Sequence, residues 1–369
     1  MIVLVACWRS SKEVPVSIIG GLDVHRGQIT FDWIDRDSGE ARRGRITPAT
    51  RDRLRRWLQA LPCREGAFAV EACTGWRFVA EELRAAGLVA QLAEPAETSS
   101  LRGPKRRAKT DRTDARLLRE LLEQGRLPAC WIPPAWLLDL RTTVRLRKTL
   151  VDERTAWQQR IHAVLYHHGV HGVPRPEQQL LTRATRDWLA GVALAPAGRH
   201  ALVVALRQID AVDAELDPID RWLRGVARRQ AGCRALIAAH YGIGPITAPT
   251  ILAELGDVRR FAGGDQVVRA TGLDITVWSS DGKRSPGRLS RQGPEVLRWA
   301  LFEAAKAAAR PTSPDYPFYQ QVKDRQGGNR ATLAVARKLA RRMRHTLLGL
   351  GDAALVPVDQ LPPPLAEAA

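Results

Sequence analysis

Two aspartates three residues apart, Asp111 and Asp114, begin a segment whose leucines recur at helical spacing. Side chains three residues apart share one face of a helix, so both carboxylates are predicted to point the same way. Carboxylate oxygens bind hard divalent cations, and phosphate oxygens can complete the coordination shell. Acidic residues also stabilise the first turn of a helix through its dipole, so the pair alone has a structural explanation as well.

The segment around this pair is strongly basic. Residues 102–119 contain eight Lys or Arg side chains and no acid besides these two aspartates. A metal bound here would lie where a polyanion arrives, because clustered cations attract phosphates. We therefore expect nucleic-acid contacts from Arg102, Lys105, Arg106, Arg107, Lys109 and Arg112.

The whole chain carries the same charge imbalance. Its 369 residues include 57 Lys or Arg against 39 Asp or Glu, a formal net charge of +18, which favours a nucleic-acid partner. The sequence shows no basic amphipathic anchor and no lipidation signal, so we expect no membrane partner. The five cysteines are widely separated, without metal-finger spacing or a disulfide framework. This favours a reducing cytoplasm, with association to the nucleoid when DNA is bound.

Residue patterns predict the fold of residues 18–127. Alternating and continuous apolar runs predict five strands, at residues 18–23, 28–34, 41–46, 67–71 and 88–92. Helices are predicted after an N-cap at Thr47 followed by Pro48, at residues 75–86, and after the basic segment. The element order is three strands, helix, strand, helix, strand, helix, which is the order of the ribonuclease H-like fold.

In that fold, acids on the first strand, the fourth strand and the last helix converge beside the sheet and hold divalent metal. The matching positions here are Asp23, Glu71, Asp111 and Asp114, which we call the acidic cluster. A single carboxylate at a strand end is common and usually solvated. An acid at every expected place predicts a site for Mg2+ or Mn2+ that serves phosphoryl transfer.

Residues 128–232 have a different character. Apolar side chains recur at steps of three and four over two long stretches, which predicts an antiparallel helical hairpin or coiled coil. Pro218 is expected to kink or interrupt the second helix. Its seam is covered either within the chain or by another protomer, and the narrow stripe favours the protomer contact. The seam consists of Leu202, Leu206, Ile209, Val212, Leu216, Ile219, Leu223 and Val226.

Residues 233–350 are predicted to form a mainly helical domain. At the two ends of the chain, residues 1–17 are treated as an extension and residues 351–369 as a disordered tail. Gly242 and Gly244 lie in a helix-hairpin-helix-like segment, whose tight turn can present backbone N–H groups to phosphate. A Gly-rich basic segment follows, in which residue type alone says little for a nucleophilic serine. We expect further nucleic-acid contacts from Lys283, Arg284, Arg288 and Arg291, and from a basic helix at residues 337–344.

Five motifs occur in a specific order along the chain. They are Gly-Leu-Asp-Val-His ending at His25, Val-Glu-Ala around Glu71, Lys-Thr-Asp-Arg-Thr-Asp-Ala from Lys109, Gly-Ile-Gly-Pro-Ile-Thr-Ala from Gly242, and Leu-Ser-Arg-Gln-Gly from Leu289. With this set, residues 18–350 resemble the DEDD-type transposases of the insertion-sequence one-ten family. The resemblance implies a DNA recombinase with a Holliday-junction-resolvase-like N-terminal domain, a coiled-coil linker and a C-terminal transposase domain.

The resemblance also implies the parts of the reaction. The acidic cluster would hold Mg2+ or Mn2+, a structured noncoding bridge RNA would guide the enzyme to DNA element ends and target, and protomers would assemble as a dimer or tetramer. In the family, the acidic cluster of one protomer works with a serine of another. The family places that serine eight residues after the glycine of a Gly-Leu motif, and counting from Gly272 reaches Ser280. Ser279 is an alternative, since Asp281 stands where the family usually has glycine.

The reaction we predict is metal-dependent DNA strand exchange through a serine ester. Two other functions stay open at this point. One is a metal-dependent nuclease or Holliday-junction resolvase, in which water replaces the serine. The other is a basic nucleic-acid-binding protein without catalysis, whose acidic cluster is structural. A covalent protein–DNA adduct distinguishes the first function from both others.

Overall fold

The computed structural model describes residues 17–102, 110–170, 181–276, 279–280, 283–284 and 287–358. Several predictions fall outside the described residues. They concern residues 1–16 of the extension, residues 359–369 of the tail, the basic residues Lys105, Arg106, Arg107 and Lys109, and the side chains of Ser279, Ser280, Lys283 and Arg284. The chain divides into two compact units, Met1–Pro133 and Pro134–Ala369.

The N-terminal unit is a mixed sheet with helices on both faces. Its strands are β1 (Ile18–Val24), β2 (Ile29–Asp35), β3 (Ala41–Ile46), β4 (Gly66–Glu71), β5 (Val89–Ala93) and β6 (Ala129–Cys130). Its helices are α1 (Arg51–Gln59), α2 (Trp76–Ala85), α3 (Pro95–Ser100) and α4 (Asp111–Glu123). The strand order is β3-β2-β1-β4-β5-β6. β1 runs parallel to β4, β4 runs parallel to β5, and β2 and β3 are antiparallel neighbours on the other side.

The five predicted strands are confirmed, and one predicted helix start is wrong. α1 begins at Arg51 behind an N-cap at Thr50, whose hydroxyl accepts from the backbone N–H of Arg53. Thr47 and Pro48 instead form a cis peptide before the helix. The observed cap lies three positions after the predicted one, because Thr50 offers the same capping hydroxyl directly before the helical residues. The sequence also did not indicate the short elements α3 and β6.

The two faces of the sheet have different cores. On one face, α1 and α2 pack over large side chains of the strands such as Leu22, Phe68 and Val70. On the other face the strands present small residues, and α4 lies against them with Leu118 and Leu121. Small side chains on the second face allow a helix to approach the sheet closely.

The closest approach is between α4 and β1 at Gly21. A Cβ atom on Gly21 would overlap the carbonyl oxygen of Ala115 and lie 2.7 Å from the backbone nitrogen of Arg119. Only glycine leaves room for the helix backbone at this point. The helix is therefore held directly over the strand that carries Asp23.

A buried ion pair fixes the same helix to the next strand. Arg119 of α4 places its Nε 2.6 Å from Oδ1 of Asp32 on β2, and Arg43 on β3 approaches Oδ2 at 3.0 Å. Asp32 is only 2% exposed, so its charge needs these partners. Removing one partner of such a pair leaves an uncompensated buried charge, which is strongly destabilising.

The C-terminal unit is mainly helical. Its helices are α5 (Ala135–His167), α6 (Arg183–Gly191), α7 (Pro196–Arg229), α8 (Ala231–Ala239), α9 (Thr247–Leu255), α10 (Gly264–Thr271), α11 (Glu295–Lys306), α12 (Tyr316–Gln326) and α13 (Gly328–Leu350). Two small antiparallel pairs of strands join β7 (Ile275–Thr276) to β10 (Arg288–Leu289) and β8 (Ser279–Ser280) to β9 (Lys283–Arg284). Within the described residues, no helix is long and apolar enough to cross a membrane.

The long helices α5 and α7 pack antiparallel, which confirms the predicted hairpin. Arg147 pairs with Asp220 at 2.5 Å, and Arg154, two turns further along α5, pairs with Asp213 at 2.6 Å. α7 continues through Pro218 without interruption. Pro218 therefore does not interrupt the second helix of the predicted hairpin.

The predicted protomer contact along the α7 seam is wrong. Ile209 and Leu223 are 0% exposed and Leu202 is 1% exposed within the single chain. Apolar residues of α5, among them Ile161 and Leu165, pack against the first part of the seam. A 33-residue helix beside a 34-residue helix covers the stripe along its length, which the sequence pattern of α7 alone could not indicate.

We predict that Gly21→Ala lowers the free energy of unfolding by about 1–3 kcal/mol, because the added methyl group forces α4 away from β1. The matched control is Gly27→Ala, where a Cβ would have no neighbour within 4 Å and the backbone is not left-handed. Chemical denaturation of the full chain, followed by circular dichroism, measures both. Equal stability of the two variants would contradict a tight contact at Gly21.

Candidate functional site

Asp23 and Glu71 end two neighbouring parallel strands. Leu22 of β1 pairs with Val70 of β4, so Asp23 and Glu71 are the next residues at the same edge of the sheet. Residues two apart on a strand point to the same side. Gly21 faces α4, and therefore Asp23 also points to the α4 side of the sheet. Asp23 is 5% exposed, which is unusual for a carboxylate.

α4 brings the other two carboxylates to this edge. Thr110 caps the helix, and Oγ1 of Thr113 accepts a hydrogen bond from the backbone N–H of Thr110 at 3.1 Å. This capping box fixes the first turn, which contains Asp111 and Asp114. Gln28, after β1, donates from Nε2 to Oδ2 of Asp111 at 2.8 Å. The helix start and the end of β1 are thereby joined through a side chain that the sequence did not single out.

His25 joins the two parts of the site. Its Nε2 lies 3.0 Å from Oδ2 of Asp23 and 3.4 Å from Oδ1 of Asp111. Ligand atoms of these three residues all lie within 4.8 Å of one another, close enough to share one metal ion. His25 ends the motif Gly-Leu-Asp-Val-His, and no role was predicted for it from the sequence. Its position two residues after a buried strand-end aspartate was the available signal.

Asp114 has a different partner. Nη1 of Arg102, just after α3, lies 2.9 Å from Oδ1 of Asp114. The side chains are 15% and 11% exposed, respectively, so the pair is largely withdrawn from solvent. Arg102 was predicted to contact nucleic acid, and the structure shows its guanidinium against one of the four clustered acids.

The site concentrates negative charge in a poorly solvated place. Burial raises the pKa of Asp23 above its ordinary value, and the nearby Asp114 and Asp111 raise it further, while His25 acts in the opposite direction. Burial likewise raises the pKa of the Cys73 thiol, with smaller contributions from Glu71 and Asp23. Asp23, Asp111 and Asp114 thus lie in one electrostatic neighbourhood, and Glu71 ends the strand beside that of Asp23. Oxygen donors with an imidazole nitrogen beside them form a donor set that fits a divalent cation such as Mn2+ or Mg2+.

The predicted serine region forms a small hairpin in the C-terminal unit. In its backbone register, Ser280 pairs with Lys283 and Ser279 pairs with Arg284. At the base of this hairpin β7 pairs with β10, where Arg288 is exposed. Next to it, the hydroxyl of Ser290 donates to Oδ1 of Asp274. This hydrogen bond ties together the two chain segments that lead into and out of the hairpin, and the sequence analysis did not indicate it.

Arg291 follows that hydrogen bond with φ +56°, the left-handed region that non-glycine residues rarely adopt. Its carbonyl accepts from Nη1 of Arg298 on α11 at 3.3 Å. Arg291 was predicted to contact nucleic acid, and its backbone is held in place by α11.

The predicted helix-hairpin-helix is a tight turn between α8 and α9. Gly242 has φ +90°, and a Cβ there would overlap the carbonyl oxygen of Ala304. The N–H of Gly244 donates to Oγ1 of Thr247 at 2.8 Å, in the first turn of α9. Gly242 is therefore required by packing and backbone conformation, and Gly244 is engaged in capping the turn.

The basic run on α13 contributes to the packing of the C-terminal unit. Arg337 donates to the carbonyl of Leu273 at 2.7 Å, and Arg344 donates to the carbonyl of Phe261 at 2.6 Å. Arg341 pairs with Asp265 at 2.9 Å. These arginines, expected to contact nucleic acid, satisfy backbone carbonyls and a carboxylate within the unit. Part of the net positive charge is thus used structurally.

A mixed sheet that gathers carboxylates at one edge, in a chain of formal net charge +18, is typical of proteins that process nucleic acid. Residues 20–169 match the DEDD transposases of the IS110 type, and residues 234–320 match the Transposase IS116/IS110/IS902 family. The chain belongs to this family of insertion-sequence transposases. It is a DNA transposase, so DNA is its substrate.

Individual relatives agree with the family. A probable family 20 transposase of Pseudomonas aeruginosa is 27% identical over 330 residues, which cover 87% of this chain and 94% of the relative. The transposase for insertion sequence element IS1111A of Coxiella burnetii is 24% identical over 282 residues, 74% of this chain and 76% of the relative. A putative transposase of Sinorhizobium fredii is 31% identical over 60% of each chain.

We predict that Asp23→Asn raises the melting temperature in the presence of a chelator at neutral pH. Because the folded-state pKa of Asp23 is raised, the stability associated with its proton is present at low pH and is lost as the pH rises through that pKa. The ionised carboxylate therefore destabilises the metal-free fold. A neutral amide avoids the cost of burying that charge and its repulsion by Asp114 and Asp111. Thermal unfolding of both proteins across the acidic to neutral range measures the difference.

The control is Asp35→Asn at the end of β2. Backbone hydrogen bonding from Asp37 lowers the pKa of Asp35, so its charge stabilises the fold and the amide is expected to lower the melting temperature slightly. A lower melting temperature for Asp23→Asn would mean that the Asp23 charge is already compensated without metal.

Proposed function

We propose that this transposase cuts and rejoins DNA by metal-dependent strand exchange in which Ser280 is the nucleophile. The observation that carries the proposal is the convergence of Asp23, His25 and Asp111 on one point, with ligand atoms within 4.8 Å of one another. Asp114 enters the same electrostatic neighbourhood from the first turn of α4. Such a cluster, at the edge of a sheet in a DNA-acting enzyme, suits phosphoryl transfer.

A ribonuclease H-like fold for the N-terminal unit is part of the proposal. Its support is the strand order β3-β2-β1-β4-β5, in which the first three strands are antiparallel and β1, β4 and β5 are parallel. The acids occupy the end of β1, the end of β4 and the start of α4. These are the elements on which that fold places its metal ligands.

We assign the metal to the acidic cluster with His25 as an additional donor. A bound Mg2+ or Mn2+ would withdraw charge from a DNA phosphodiester and lower the barrier to attack on phosphorus. Asp23 and Asp111 are held for this role by β1 and by the capped first turn of α4. Gln28 fixes the carboxylate of Asp111, because its amide donates to Oδ2.

The serine completes the chemistry. Oγ of Ser280 attacks phosphorus and loses its proton, the bond from phosphorus to the departing DNA oxygen breaks, and that oxygen takes a proton. The phosphate is then an ester of the serine, and a DNA hydroxyl at the new junction attacks it to restore the phosphodiester. Each step exchanges one phosphate ester for another, so no nucleotide hydrolysis is needed. The position of Ser280 next to a basic hairpin strand supports this role.

We infer further that a structured guide RNA and other protomers take part. The support is the family, together with a net charge of +18, which no pairing of the chain's own acids can balance. The basic residues 105–109 lie just before Asp111 in the sequence, and clustered cations of this kind suit a polyanion.

The experiment is a denaturing gel of the purified protein with labelled DNA ends in Mg2+. Wild type is expected to give a covalent protein–DNA adduct, and Ser280→Ala is expected to abolish it while nucleic-acid binding persists, because one hydroxyl adds little to a large electrostatic interface. Ser279→Ala, the matched control, keeps the adduct.

The outcomes separate the candidate reactions. An adduct that survives Ser280→Ala and vanishes with Ser279→Ala moves the nucleophile by one residue. DNA cutting without any adduct indicates a nuclease that uses water. Adduct formation in excess chelator would contradict the proposal that the acidic cluster binds a metal needed for the reaction.

A further inference from the structure

Arg102 and Asp114 form an ion pair inside the proposed metal site, and this inference rests on that proposed function. Nη1 of Arg102 lies 2.9 Å from Oδ1 of Asp114, and both side chains are largely buried. Among the described residues, the group whose ligand atoms already lie within 4.8 Å comprises Asp23, His25 and Asp111. Asp114 stands outside that group. The carboxylate that Arg102 binds, Asp114, is thus not among the donors that already lie close together.

The guanidinium of Arg102 also has an unused donor. Its Nε is buried and makes no hydrogen bond with the described part of the chain. A buried donor without a partner is unfavourable, so the present arrangement satisfies Arg102 only in part. A phosphate offers several acceptor oxygens in the geometry that a guanidinium binds with two parallel hydrogen bonds. A phosphodiester would therefore be a better partner than the single contact to Asp114.

Charge opposes keeping Arg102 in place once metal is bound. A divalent cation on Asp114 would bring like charges close together in a poorly solvated site, where their repulsion is weakly screened. The same cation compensates the carboxylate charge that Arg102 now neutralises. The metal and the guanidinium are therefore alternative partners for one carboxylate.

We propose that Arg102 competes with divalent metal for Asp114 and passes to a phosphodiester of bound nucleic acid when metal takes the carboxylate. Arg102 is a positioning residue in this scheme: it holds Asp114 away from the other donors while metal and DNA are absent. The site is completed only when both arrive, which couples metal binding to substrate binding.

The first test is Mn2+ binding to the full-length protein without nucleic acid, measured by electron paramagnetic resonance and isothermal titration calorimetry. Arg102→Gln is expected to bind Mn2+ roughly three- to tenfold more tightly than wild type, because the competing ion pair is gone. Arg102→Lys keeps the charge but loses the planar fork, so its affinity is expected to lie between the two.

Two controls separate competition from a general charge effect. Arg116→Gln removes the same charge from α4, where Arg116 pairs with Glu120 in an exposed position, and is expected to leave Mn2+ affinity within about twofold of wild type. In an Asp114→Asn background, Arg102→Gln is expected to bring no gain, since the contested carboxylate is absent.

The second test is the binding of a labelled DNA duplex of mixed sequence. Arg102→Gln is expected to weaken duplex binding more in Mn2+ than in chelator, because only the metal-bound state releases the guanidinium to phosphate. Equal weakening in both conditions would overturn the exchange to phosphate.

The remaining outcomes are distinct. Unchanged or weaker Mn2+ binding by Arg102→Gln, with wild type binding normally, overturns the competition and leaves the proposed function standing. Absence of Mn2+ binding by wild type and Arg102→Gln alike overturns both the competition and the proposed metal site.

Discussion

The contact between α4 and β1 is the constraint on which the candidate site depends. Gly21 leaves room for the backbone of α4, and the buried pair between Arg119 and Asp32 fixes the same helix to β2. These two interactions determine where the first turn of α4 begins. Asp111 then reaches the imidazole of His25 at 3.4 Å, and that imidazole contacts Asp23 at 3.0 Å. A shift of the helix by one ångström would separate the donors that share one ion in the proposed metal site.

The second physical theme is the unfavourable proximity of carboxylates. Burial and neighbouring acids raise the pKa of Asp23, so the metal-free site stores electrostatic repulsion. The protein relieves part of it with its own side chains: the imidazole of His25 contacts Asp23 and Asp111, and the guanidinium of Arg102 binds Asp114. Such internal partners let the fold form without metal. They also make the site responsive to a cation that compensates the same charges more strongly.

Much of this arrangement follows from sequence, and the reasons for the exceptions are physical. The five central strands and α4 could be predicted because their apolar periodicity is strong, and the acids could be assigned through the element order. Gln28 could not be assigned a role, because its importance comes from a contact across the chain, whereas the position of His25 two residues after Asp23 was a usable signal. Gln28 meets Asp111, a residue 83 positions away. The partner of Arg102 was likewise hidden, since a basic run in a sequence does not show which cation turns inward.

The α7 seam and the basic run on α13 show the same limit. A narrow apolar stripe indicated that something covers α7, but α5 supplies that cover from within the chain. A run of arginines on α13 indicated a polyanion, but Arg337 and Arg344 bind backbone carbonyls of the same unit. In both cases the residue types correctly indicated an apolar or a charged contact, and only the tertiary structure identified the partner.

The proposed strand exchange requires that the acidic cluster hold a divalent cation. Anomalous X-ray diffraction from crystals grown with Mn2+ tests it most directly, because the signal locates the ion independently of any activity. We expect a Mn2+ peak within about 2.0–2.6 Å of oxygens of Asp23 and Asp111. A Mn2+ peak elsewhere, with the contacts of His25 to both aspartates unchanged, would contradict it.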